Sequence, residues 1–76
     1  MFKKILTTTH HNGVTTEDVV ETVGPDHVEA DIAAEIRNLR PMTRTYGRIA
    51  HVEKTMTTLV IVYTSGTVEI FRWVAE

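Results

Sequence analysis

The chain has 76 residues, no cysteine and a formal net charge of −2. That length allows one domain, residues 1–76, with a core too small to enclose a large ligand cavity. The lack of thiols excludes a disulfide framework and thiolate metal sites, and it fits a reducing compartment. Met1 to Leu6 starts like a signal peptide, but the polar Thr7–Asn12 stretch ends the apolar run at once. Leu59–Tyr63, the longest apolar run, is too short to span a bilayer. A soluble, cytoplasmic protein is expected.

In chain order, residues 1–13 admit two readings. Phe2, Ile5 and Leu6 can line a short helix, while Thr7-Thr8-Thr9 favours a strand. Asn12-Gly13 is a turn signal that closes the segment. Residues 15–39 read as helix, tight turn, helix. Thr15 or Thr16 can cap the first, with Glu17 and Asp18 in its first turn and Val19, Val20 and Val23 as its apolar face. Gly24 suits a left-handed C-terminal cap, and Pro25 cannot continue the same helix. Asp26 with Glu29 forms a capping-box-like pair, and Val28, Ile32, Ile36 and Leu39 make one buried stripe behind it.

Residues 40–48, with Pro41 and Gly47, read as a connection. Ile49–Lys54 is a short strand, and Thr57–Thr64 is a stronger one, apolar on both faces at its centre. Ser65-Gly66 then makes a two-residue hairpin turn, and Thr67–Val74 returns. A loop of that length sets Tyr63 opposite Val68, Ile61 opposite Ile70 and Leu59 opposite Arg72. It places Phe71 and Trp73 on the other face, where they exceed what a solvated surface requires.

Charge divides along the chain. Glu17, Asp18, Glu21, Asp26, Glu29, Asp31 and Glu35 come with no Lys or Arg among them, and Arg37, Arg40, Arg44 and Arg48 follow with no acid among them. A solvated acidic segment beside a basic loop explains this as well as two faces for two partners do.

No signature of chemistry appears. His10, His11, His27 and His51 lack metal-ligand spacing, and Ser65 stands outside any nucleophile elbow. The glycines form neither a phosphate loop nor a dinucleotide fingerprint. Glu17 with Glu21 serves helix solubility better than acid–base work. No enzymatic activity, cofactor or metal is expected.

The order of these segments resembles a winged helix-turn-helix domain, particularly the small bacterial and prophage-type regulators. FKKIL and HHNGVTTEDVVETVG resemble a first helix, a turn and a second helix, and PDHVEADIAAEIRNLRP resembles the recognition helix. TYGRIAHVE resembles the short strand that follows, and residues 57–74 resemble the wing hairpin. The resemblance implies an α+β fold, with helices in the N-terminal half, residues 2–11 included, followed by a small antiparallel sheet. It also implies a DNA-binding transcriptional regulator that acts by occupying an operator, with Arg37, Asn38, Arg40, Arg44 and Arg48 on double-stranded DNA and Lys3 and Lys4 alongside.

The family pattern and this chain differ in charge, because Glu29, Asp31 and Glu35 would stand near phosphates. A second reading follows: an acidic protein-binding modulator, such as an inhibitor of a nucleic-acid-processing enzyme that mimics DNA charge. Its docking residues would be Glu17, Asp18, Glu21, Glu29, Asp31, Glu35, Phe71 and Trp73, set against a basic protein surface. A third reading makes residues 1–10 a strand of a small α+β assembly unit. Monomer and homodimer are compatible with each.

Overall fold

The computed structural model of the protein describes residues 1–39 and 46–76. Five strands build one antiparallel sheet: β1 (Phe2–Thr9), β2 (Thr15–Val23), β3 (Ile49–Lys54), β4 (Thr58–Tyr63) and β5 (Val68–Ala75). Their spatial order is β2-β1-β5-β4-β3. A 3-10 turn (Pro25–His27) leads into the helix α1 (Val28–Arg37), which lies on one face of the sheet, between its two edge strands in chain order.

This architecture overturns the winged helix-turn-helix expectation. Residues 2–11 and 15–23, read as the first two helices, are the hairpin β1–β2, so the sheet runs through both halves of the chain. Six of the nine β2 residues are Thr or Val, whose branched side chains lose rotamer freedom in a helix and fit a pleated strand. The HHNG segment supplies the reversal. Gly13 sits at φ +88°, its N–H bonds to the His10 carbonyl at 2.9 Å, and the Asn12 side chain accepts from the Val14 N–H at 3.1 Å. A bulge breaks the register of this hairpin: Lys4 faces Glu21 and Ile5 faces Val19, leaving Val20 as the extra residue.

The helix after Pro25 stands as expected, though its start does not. Gly24 has φ −66° and ψ 150°, extended backbone rather than a left-handed cap, because it ends a strand and opens the 3-10 turn. His27 occupies the N-cap position of α1 without a side-chain bond, so Asp26 and Glu29 form no capping box. Val28 and Ile32 are buried, Ile36 packs against the core, and Leu39 joins it beyond the helix end.

The last hairpin differs from its expected register by one residue. The Tyr63 N–H bonds to the Thr67 carbonyl at 2.9 Å, and the Gly66 N–H bonds to the Tyr63 carbonyl at 3.0 Å. With Gly66 at φ +93°, Thr64–Gly66 is a three-residue loop closed by a glycine bulge, not a two-residue turn. Leu59 therefore faces Phe71, and Ile61 faces Glu69. Because side chains alternate across a strand, that single step carries Phe71 and Trp73 onto the helix side. There they join Leu59, Ile61, Tyr63, Val23, Val28 and Ile32 in the core.

Ile32 should carry much of the helix–sheet contact. Ile32→Ala is expected to cost about 2–5 kcal/mol in urea unfolding, a core-cavity effect. A loss below about 0.5 kcal/mol, typical of surface substitutions, would contradict this packing.

Candidate functional site

Alternation along β1 points Phe2, Lys4, Leu6 and Thr8 to the helix side. One of these is a charge. The Lys4 side chain is only 3% exposed, so its ammonium needs partners. Asp31 and Glu35, one turn apart on the same face of α1, supply them. Lys4 Nζ lies 2.7 Å from Glu35 Oε1 and 3.1 Å from Asp31 Oδ2. The β2 bulge brings Glu21 opposite Lys4, with Oε1 at 3.5 Å. From β5 the rings of Phe71 and Trp73 lie 5.4 and 5.7 Å from Nζ. Trp73 Nε1 also donates to Asp31 Oδ2 at 2.9 Å.

Burial by itself lowers the Lys4 pKa, but the hydrogen bonds to Glu35 and Asp31 and the charges of both carboxylates more than offset it. The amine is held as ammonium and is no nucleophile at neutral pH. Its chemistry is that of a tie: one cation fastening α1 to β1, β2 and β5. Nearby, Tyr63 donates to Glu69 Oε1 at 2.6 Å, and Glu69 is 1% exposed. Burial drives the Glu69 pKa up against the opposing effect of the Tyr63 bond, and burial with the Glu69 contact drives Tyr63 up as well.

The remaining sequence candidates are scattered. Glu17, Asp18 and Glu21 lie along β2, an edge strand whose residues Thr15–Thr22 are all exposed. Glu29 and Asp26 are exposed near the start of α1, Arg37 and Asn38 are exposed at its end, and Arg48 is exposed before β3. Arg40 and Arg44 lie outside the described residues. Phe71 and Trp73, expected at a partner surface, are 4% and 2% exposed and belong to the core. Lys3 pairs with Glu76 at 3.8 Å, and Arg72 pairs with Glu17 at 3.5 Å. Between β2 and α1 an open depression of about 390 Å³ is lined in part by Glu21, Val23, His27 and Asp31.

Sequence reasoning missed the Lys4 tie and the Glu69–Tyr63 pair. The signal for the first was a lysine at an inward position of an alternating strand, together with two acids four residues apart beside the Val28–Ile32 stripe. Among the described residues no group of three or more His, Asp or Glu side chains is arranged to hold a metal ion. Nor is any described helix long and apolar enough to cross a membrane. The class of molecule defined so far is a helix-backed antiparallel sheet with an acidic edge. Comparison with known protein families, curated proteins and solved structures finds no match for the chain.

Two measurements bear on the buried charges. The raised Lys4 pKa means its stabilisation is complete below the ordinary lysine value of 10.5 and fades as pH rises through the folded value. Lys4→Met should cost about 3 kcal/mol at pH 7, where Asp31 and Glu35 lose their partner. In an alkaline unfolding series it should also remove the part of the wild-type decline that a Tyr63→Phe variant retains. An unchanged alkaline profile would show that the tie contributes nothing.

Glu69 has the opposite sense. Its folded pKa exceeds the unfolded one, so stability falls as pH climbs through the interval between them. Glu69→Gln keeps an acceptor for Tyr63 without the charge. The variant should be more stable than wild type at pH 7 by thermal unfolding, with a flatter profile above the ordinary glutamate range; a lower melting temperature at every pH would count against this.

Proposed function

We propose that the protein is a non-catalytic binding module that receives an extended, basic segment of a partner protein along the β2 edge. The observation that carries this reading is the state of β2. It is a nine-residue strand at the sheet margin, eight of its residues are exposed, and it bears three acids and no Lys or Arg. The outer backbone N–H and C=O groups of an edge strand have no partner in the sheet and can template another strand. Carboxylates at Glu17, Asp18 and Glu21 oppose pairing with an identical edge and favour lysines and arginines opposite them. Glu21, exposed on β2, also lines the neighbouring depression and continues the acidic edge toward α1.

This keeps the acidic-modulator reading but moves its surface: Asp31 and Glu35 are engaged with Lys4, and Phe71 and Trp73 are withdrawn. A basic nucleic-acid-processing enzyme is one partner class of the required chemistry. Occupancy of double-stranded DNA has less support. It draws on the exposed Arg37, Asn38 and Arg48, whereas α1 turns Val28 and Ile32 inward and Asp31 and Glu35 onto Lys4.

An NMR titration of the labelled protein with extended peptides that alternate lysine and valine tests the reading. The β2 amides should shift and gain exchange protection, and Glu17→Gln/Asp18→Asn should weaken binding and reduce its salt dependence. A parallel titration with duplex DNA at low salt should leave the spectrum unchanged. Shifts centred on Arg37 and Arg48 with DNA, and none on β2 with peptide, would reverse the choice of partner.

A further inference from the structure

Alternation leaves the second face of the sheet with its own composition. Val60, Ile70 and Thr7 stand in one row across β4, β5 and β1, and Val62 and Val68 form the next row. Ile5 follows beside Arg72. All are half-buried, and no described element lies over them, since α1 packs on the opposite face. Among the described residues the sheet has buried only one of its apolar sides, under one short helix, and layered architectures cover the other.

We infer that this face packs against the same face of a second copy of the chain, forming a two-sheet sandwich with the helices outside. Two features select a second copy over other occupants. The first is charge. Arg72 stands on the central strand of this face and Lys3 on β1, while Glu17 and Glu53 lie on the two edge strands, and Arg72 is already paired with Glu17 at 3.5 Å. Such a near-neutral set of charges lacks the basic surplus that a nucleic acid or an anionic membrane requires, whereas a two-fold partner presents both signs in turn.

The second is area. Five strands spaced ~4.8 Å apart and about six residues long at ~3.3 Å each give a footprint near 500 Å². Two copies would remove about 1,000 Å² from water, which reaches the level of a specific but modest interface. Edge-to-edge association through β2 is disfavoured by its own carboxylates. The sandwich leaves the outer hydrogen-bonding edge of β2 open, so this inference is independent of the edge-strand reading.

Light scattering coupled to gel filtration, from about 1 µM to about 1 mM, covers the affinities such an interface would have. The wild-type mass should rise from 8.6 kDa toward twice that value. Ile70→Lys should raise the dissociation constant more than about tenfold. Val60→Lys, at the side of the patch, provides a milder second case, and circular dichroism confirms the sheet in each. Asp18→Asn, on the edge strand, should leave dimerisation unchanged. A single-copy mass at the highest concentration would overturn the inference, as would folded lysine variants that dimerise like wild type. So would binding of single copies to neutral phosphatidylcholine vesicles without self-association.

Discussion

The Lys4 ammonium is the constraint on which the rest of the fold depends. A cation at this depth is tolerable only if carboxylates approach from a fixed direction, and both Asp31 and Glu35 come from α1. Their spacing sets the rotation of the helix, and their distance to Nζ sets where along β1 it rests. Trp73 then completes the arrangement by donating to Asp31 while its ring covers the ammonium. A purely apolar helix stripe could slide or rotate by a residue at modest cost. Here such a slip leaves a buried charge without a partner, so the ionic tie contributes orientation as much as stability.

Two small backbone irregularities decide which side chains serve this arrangement. The bulge at Val20 turns Glu21 toward Lys4, while Glu17 remains on the opposite face with Arg72. The glycine-closed loop at Thr64–Gly66 turns Phe71 and Trp73 inward. Each shifts a strand by one residue, and in a sheet one residue is a change of face. The surfaces left for recognition, an acidic edge and a largely apolar face of near-neutral charge, are therefore products of local turn geometry as well as composition.

The second half of the chain was legible because its signals agree. Val, Ile and Thr alternate or cluster between clear turn residues, and all three strands from Ile49 to Ala75 appear where their propensities place them. The Val28–Leu39 stripe was equally clear. Residues 2–23 were not. Glu17 and Asp18 after two threonines imitate a helix start, and Gly24-Pro25 imitates a helix stop, although the chain there leaves an edge strand. Threonine and valine content pointed the other way, and tertiary pairing with β1 settled the conflict. The site suffered in turn, because Lys4 looks like an ordinary surface lysine until β1 is recognised as a strand with an inside.

The spatial order of the strands has a consequence for how the protein comes into being. The two hairpins β1–β2 and β3–β4 can each form locally, but they touch in the sheet only through β5, the final strand in sequence. Contact between β1 and β5 spans most of the chain, a separation that slows folding through the entropy of closing so long a loop. During synthesis the two halves would wait as separate, incomplete pieces, with β1 and β4 each showing a bare inner edge. Nor could Lys4 gain its aromatic cover before Trp73 arrives, so enclosure of the charge and union of the halves become a single late event.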